Sequence, residues 1–464
     1  MFEPDFRSTF DPVIRPGTAR LGEVLSAFSY ALDLTEGQPA GHAIRAAWIG
    51  TRLGEAAGLS GAELSDCLYT VLLKDLGCSS NAARVAELFL GNDRKLKHGF
   101  KLIGPEAGDF LQFIEETVGK DSTPAERSCA IAVLHAEAGP ILTGFIDTRC
   151  NQGARIARRL RFSGRVAQAI AALDEHWNGG GMPSGLAGEA IPLLARIALL
   201  AQVADVFYMT GGPAMAVAEV TARSGTWFEP ALVNQFVDLA QAPEFWIELG
   251  ASDIADRLLA HPAAQVVVPV DEDYLDDITA AFGEVIDAKS PFTAGHSDRV
   301  GQITAALSAE LGFAPAEQRK LVRAARLHDV GKLGVSNRIL DKPGPLNDAE
   351  WTEMRQHSKL TGEILGRIGV LHDMAMIAAA HHERIDGTGY PLQLGAAMIA
   401  RETRIITTAD VFDALTADRP YRAALPLEKA LGIMAQGSGT AFDPACLRAL
   451  DAVLAGGLAD RLAA

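Results

Sequence analysis

The feature that most constrains this 464-residue chain is that it is written twice. Displaced by 254 positions, Gly41-His42 falls on Gly295-His296, Arg45 on Arg299, Gly58 on Gly312, Glu63 on Glu317, Asp75 on Asp329 and Gly77 on Gly331. Further on the displacement becomes 208, pairing Glu175 with Glu383, Asn178-Gly179 with Asp386-Gly387, and Gly181-Met182-Pro183 with Gly389-Tyr390-Pro391. At 205, Ala204-Asp205-Val206-Phe207 falls on Ala409-Asp410-Val411-Phe412. Order and approximate spacing are both preserved, so one structural unit has been duplicated and the fold must accommodate two copies.

The copies differ in length and in chemistry. Asp75 to Glu175 spans 100 positions where Asp329 to Glu383 spans 54, so the first copy carries about 46 extra residues, placed within 85–145. Lys74 stands where His328 stands, Cys78 where Lys332 stands, and Leu173-Asp174 where His381-His382 stand. No histidine lies near the position matching His357. A cationic Lys74 would repel a metal that a neutral imidazole would hold. The first copy keeps the scaffold and loses the chemistry.

Five histidines and two aspartates carry that chemistry in the second copy: His296 in GHSDRV, His328 and Asp329 in HDVGK, His357, His381-His382 in HHERIDGTGYP, and Asp410 in TADVFDALT. Imidazoles and carboxylates suit a borderline divalent cation. Seven groups are too many for one ion and about right for two sharing a carboxylate. Their burial without such a role would be costly. HDVGK is expected to end a helix beginning near Ala316. Successive helical residues point roughly 100° apart, so His328 can grip one ion while Asp329 bridges to a second. His381 and His382 would reach that second ion from the end of the apolar run MAMIAAA, with Gly387 and Gly389 turning the chain afterwards.

The surroundings read as helical. Apolar residues recur at three and four, as at Trp351, Met354, Leu360, Ile364 and Leu365 with Asp348 as N-cap. The one strand-like run, VVVPV at 266–270, is broken by proline and reads as linker. The net charge of −16 supplies no global basic field for nucleic acid or an anionic membrane. Five cysteines without a CxxC spacing suit a reduced, cytoplasmic protein. The greasy stretch 191–208 carries Arg196, Gln202 and Asp205, which argues against a membrane span. His42, His98, His135, His176, His261 and His372 read as packing or surface residues. A relic site of His42, Asp75 and Asp205 would be weak at best.

The motifs GHS, HDxGK, the isolated His357, HHExxDGxGYP and the run from Asp410 to Arg422 resemble the HD-GYP family of the HD phosphohydrolase superfamily, over roughly 275–450. The resemblance implies an all-α fold of two tandem HD-type helical bundles, the first degenerate and the second metal-binding. The expected division is a pseudo-domain over 1–262, a linker over 263–274 and a catalytic domain over 275–464. The family implies two divalent metal ions, iron or manganese, and hydrolysis of cyclic di-GMP to linear pGpG and onward to GMP. Carried over by position, His296, His328, Asp329 and Asp410 would surround the first ion. Asp329 as bridge, with His357, His381 and His382, would surround the second. Where some members place a glutamate for a third ion, this chain has Phe292.

The resemblance further makes Asp329 and Lys332 catalytic and gives Lys332, Tyr390, Arg419 and Arg422 contacts to the substrate's phosphates or bases. Two adjacent cations acidify water and orient phosphate oxygens for in-line attack. Competing readings are a weakly catalytic cyclic-dinucleotide sensor acting through the first copy, and a phosphohydrolase of another cyclic dinucleotide or nucleotide. The first copy is expected to pack on the second, setting its orientation, regulating access or forming a homodimer.

Overall fold

The computed structural model describes residues 20–104, 107–265, 270–419 and 422–463. Among them the ordered elements are helices, joined only by isolated bridges such as Ser224–Phe228 and its counterpart Ser438–Phe442. The all-α expectation and the two tandem bundles are therefore the observed architecture.

The duplication holds helix by helix. Leu21–Thr35, His42–Ala56, Gly61–Leu72, Ala138–Arg159, Gly164–Ala171 and Pro230–Ala240 recur as Glu272–Asp287, His296–Glu310, Pro315–Leu327, Asp348–Gly366, His372–Ala379 and Pro444–Ala455. Even the joints repeat. Gly41 and Gly295 enter the second helix of each copy at φ +83° and +69°, a left-handed conformation that glycine reaches without a Cβ clash. A buried aspartate secures each of these turns: Asp33 accepts from Gly41 N and Ala43 N, and Asp287 accepts from Ser297 N.

The two copies pack about an internal pseudo-twofold axis. The equivalent rings Phe28 and Phe282 stack on one another at 3.7 Å, 10° from parallel. The Leu21–Thr35 helix lies on Val330–Gly334 and on the Asp348–Gly366 helix, and Glu272–Asp287 reciprocally lies on Cys78–Asn81 and on Ala138–Arg159. Such self-complementary packing is what an isologous dimer interface would show, here within one chain. Buried apolar side chains of both halves run together in one core.

The extra segment of the first copy builds its own small core from Val85, Phe89, Leu96, Ile114, Val118 and Leu134. One of its helices, Asp93–Phe100, also pins the halves together. Asp93 is fully buried and accepts from Lys289 Nζ at 3.1 Å, Ser336 Oγ at 3.0 Å and Asn337 N at 2.8 Å. Arg94 donates to Gly334 O at 2.6 Å.

Some expectations change. The cap of the 348–366 helix is Asn347 rather than Asp348, because its side chain accepts from Glu350 N while the Glu350 carboxylate accepts from Asn347 N. Trp351 is 43% exposed, not core. Of the run 266–270 only Val270 falls among the described residues, and the Glu272–Asp287 helix already starts inside the expected linker. Leu193–Ala222 is long and apolar enough to cross a membrane, yet 72% of its most apolar window is buried in this fold. It is also broken at Gly211 and Gly212.

Asp93→Ala would leave the Lys289 ammonium buried without its carboxylate. We expect a loss of about 3–5 kcal/mol of stability in urea unfolding. Removing the exposed Arg52–Glu55 pair should cost less than about 1 kcal/mol. Equal effects of the two would contradict the role given to Asp93.

Candidate metal centre

The Pro315–Leu327 helix ends where HDVGK begins, with His328 as its C-cap. The chain then tightens into a single 3-10 turn, Val330–Gly334. Gly331 is required there: a Cβ would meet His357 O at 1.9 Å. Thr361 ties the same junction, donating to His328 O at 2.9 Å and accepting from Gly331 N at 3.0 Å. The absence of one side chain thus lets the helices carrying His328 and His357 approach.

Three of the histidines are aimed by one device. His328, His357 and His381 each bond through Nδ1 to the carbonyl three residues earlier, Ala325, Met354 and Ala378, all at 2.6 Å. Each Nε2 is then left to face the centre. His296 is aimed by a carboxylate: its Nδ1 lies 2.7 Å from Asp413, which also receives Arg299 Nε at 2.6 Å. This is the outer-shell support that metal-ligating imidazoles need to fix tautomer and direction.

All seven residues converge. Asp329 Oδ2 lies 3.6 Å from His296 Nε2 and 3.2 Å from His328 Nε2, while Asp410 Oδ1 is 3.5 and 3.6 Å from the same two nitrogens. The other oxygen, Asp329 Oδ1, lies 3.6 Å from His357 Nε2 and 3.7 Å from His381 Nε2. His382 completes that side; the candidate ligand atoms of His357, His381 and His382 all lie within 4.8 Å of one another. One carboxylate therefore faces two sets of donors, one oxygen to each.

The electrostatics split the same way. Burial works against charge on His328, but Asp329 and Asp410 outweigh it and hold this imidazole up at about 10. Burial likewise opposes ionisation of Asp329, yet His328 and Lys332 keep it well below the usual carboxylate range. On the other side burial wins, pushing His357 down to about 4 and His382 to about 3. His296 Nε2, His328 Nε2 and Asp329 Oδ1 are buried with no hydrogen-bond partner. Unpaired polar atoms this deep are costly, and imidazole nitrogens gathered around carboxylate oxygens are the donor set of a divalent cation, which would take the place of the protons on His296 and His328.

Of the expected substrate contacts, Lys332 pairs with Asp329 and keeps its side chain 22% exposed. Tyr390 packs its ring at 4.8 Å from His382. Arg419 and Arg422 form a backbone bridge. The Arg422 guanidinium donates to Ala414 O and to Leu415 O at 3.1 Å, capping the Arg401–Thr416 helix. Glu383 shapes the turn by accepting from Leu392 N and Leu394 N at 2.6 and 2.8 Å. Beyond Tyr390, Arg355 lies over both that ring and exposed Trp351, at 5.5 and 5.7 Å.

The first copy shows what its substitutions do. His42 Nδ1 bonds Asp205 at 2.7 Å and Arg45 Nε donates to Asp205 at 2.7 Å, reproducing His296, Arg299 and Asp413. The displacement in this helix is therefore 208, not 205. Asp205 matches Asp413, and Gln202 stands where Asp410 does. Lys74 Nζ sits 3.1 Å from His42 Nε2 and against Asp75. Arg149 takes the position of His357, since a Cβ on Gly77 would meet Arg149 O at 1.8 Å. Of the relic trio, His42 and Asp75 hold a lysine ammonium, while Asp205 sits behind His42 on its other ring nitrogen. Glu36, beside Asp75 and Cys78, pairs with Lys97 and Lys101.

Comparison with known proteins agrees with this geometry. The HD domain family matches residues 133–232 and 281–446. A 3'3'-cGAMP-specific phosphodiesterase of Vibrio cholerae is 47% identical over 441 residues, covering 95% of this chain and 96% of that protein. A cyclic di-GMP phosphodiesterase of Thermotoga maritima is 36% identical over 180 residues, 38% of this chain and 49% of its own length. The crystal structure of a cyclic GMP-AMP specific phosphodiesterase from V. cholerae superposes with a TM-score of 0.65 at 44% identity, over 94% of this chain and 98% of that one. A family match in both halves, joined to near full-length likeness in sequence and structure, makes this chain a member of the HD domain family, of the HD-GYP type.

Proposed function

We propose that the chain is a metal-dependent phosphodiesterase that opens a 3′,5′-linked cyclic dinucleotide to its linear form, with 3'3'-cGAMP as preferred substrate. The observation that carries the reaction type is the carboxylate of Asp329, facing a separate set of nitrogens with each oxygen. The substrate preference rests on the likeness to a 3'3'-cGAMP-specific enzyme over nearly the whole of both chains. Cyclic di-GMP is the second reading, favoured by the likeness of 180 residues of the chain to an enzyme named for that substrate.

His296, His328, Asp410 and one oxygen of Asp329 would hold one ion, and the other Asp329 oxygen with His357, His381 and His382 a second. When bound, such ions supply Lewis acidity, making water more acidic and offsetting phosphate charge. The protein supplies the rest. Carbonyls and Asp413 keep the imidazoles aimed, so no reorganisation is needed during reaction. Lys332, exposed enough to meet substrate, is the cation placed to neutralise a phosphoryl oxygen. The Tyr390 ring closes one wall beside His382, and Trp351 with Arg355 offers a flat, cationic rim for a base.

Reconstituted with Fe(II) or Mn(II), the chain should convert 3'3'-cGAMP to a linear dinucleotide faster than cyclic di-GMP, scored by chromatography of a substrate panel. His328→Ala and Asp329→Ala should each abolish turnover. Turnover of none of the panel in any metal or redox state would contradict the proposal.

Asp413→Asn should keep the fold but loosen His296, lowering metal affinity or activity by about 10–100-fold. Elemental analysis and rate on the same preparation would check this, and unchanged values in both would show that Asp413 does not orient the ligand.

A further inference from the structure

The first copy retains a cavity of about 780 Å³ beside its degenerate centre. Cys78, Arg149, Asp174 and Gln202 line it, standing where Lys332, His357, His382 and Asp410 stand in the second copy. The space is within the range of small-molecule sites, and its chemistry is no longer that of a metal centre. The lysine ammonium already occupies the position between His42 and Asp75.

Its walls combine flat rings with fixed cations. Phe100 and Phe110, from the inserted segment, line one side, and Trp227 lines another. Trp227 is stacked at 4.2 Å on His176 and has the Arg223 guanidinium 4.3 Å from its ring centre, so its orientation is set before anything binds. Lys97, Lys101 and Arg149, with Lys74 behind them, outnumber by one the carboxylates of Glu36, Asp75 and Asp174 that they pair with. Gln202 is 5% exposed, and its Oε1 is buried with no hydrogen-bond partner. An aromatic slot, an unused buried acceptor and a group of cations together suit a base that carries a phosphate.

The cavity is also wired to the other half. Lys97 and Lys101 lie at one end of the Asp93–Phe100 helix. From the other end Asp93 and Arg94 hold Ser336, Asn337 and Gly334, just beyond Lys332. A ligand that draws the two lysines inward would pull on the segment that carries the catalytic-half lysine.

We propose that this cavity is a regulatory site for a purine nucleotide, whose occupancy is passed through the Asp93–Phe100 helix to the HDVGK segment. The ligand could be a mononucleotide product or the cyclic dinucleotide itself, which share the base and phosphate. The binding half of the proposal stands alone; the regulatory half rests on the hydrolase reading above.

The test uses the full chain. Metal is first removed with chelator so that nothing is turned over, and GMP, AMP and 3'3'-cGAMP are titrated by calorimetry. At least one should bind and should protect residues 97–104 and 174–182 from hydrogen exchange. Gln202→Leu and Lys101→Met should each weaken that binding about tenfold or more, and Lys332→Ala should leave the protection of residues 97–104 and 174–182 unchanged. The metal-loaded chain is then assayed on bis(p-nitrophenyl) phosphate with and without the bound nucleotide. The rate should change severalfold in wild type and stay constant in Arg94→Ala, which keeps the binding.

No binding at millimolar nucleotide, or protection confined to the catalytic half, would overturn the site. Binding without a rate change would overturn the coupling. Hydrolysis of cyclic dinucleotides with no nucleotide in the cavity would sink this inference alone. A filled cavity in a protein that hydrolyses nothing would sink the hydrolase reading instead.

Discussion

A buried carboxylate must have positive charge near it, and both halves of this chain are organised around that need. Asp329 is 1% exposed and Asp75, its counterpart, is also 1% exposed. Isolated anions this deep are not tolerated. The first copy answers with a covalently attached cation, Lys74, lodged between Asp75 and His42. The second answers with Lys332 on one flank and a ring of imidazoles. Two of these, His296 and His328, are held above their usual range while the others stay neutral. Lysine for histidine at this position, together with the loss of the ligands matching His357, His381, His382 and Asp410, separates a self-neutralised core from a centre with open nitrogens.

Everything else positions that carboxylate. Glycines at 331 and 77 allow helices to touch, aspartates at 287 and 33 fix the entry to the next helix, and Asp413 and Asp205 steady the matching histidines. These shared parts explain why the first copy remains folded after losing its ligands. Its remaining value to the molecule is as the other face of a twofold-like interface, and the inserted residues add the cavity and the helix that crosses between halves.

Much of the centre was readable in the chain. The HDVGK turn, the convergence of the seven donors and the duplication follow from residue type and spacing. Asp413 escaped because ADVF occurs in both copies at a displacement that differs from the true one by three. Residues three apart on a helix share a face, so the wrong register still places an aspartate near the centre. The motif also did not show that the Arg422 guanidinium serves the end of a helix, donating to orphan carbonyls. Trp351 fits an apolar periodicity that cannot tell core from rim. The cavity was invisible because part of its wall, including Lys97, Phe100, Lys101 and Phe110, comes from an insertion with no counterpart to compare.

The most direct test of the central claim is anomalous diffraction from crystals of the full chain reconstituted with Mn(II) or Fe(II). Two peaks flanking Asp329, one beside His296, His328 and Asp410 and one beside His357, His381 and His382, are expected, with none beside Lys74. A single peak away from Asp329, a peak in the first copy, or no bound metal after reconstitution would contradict it.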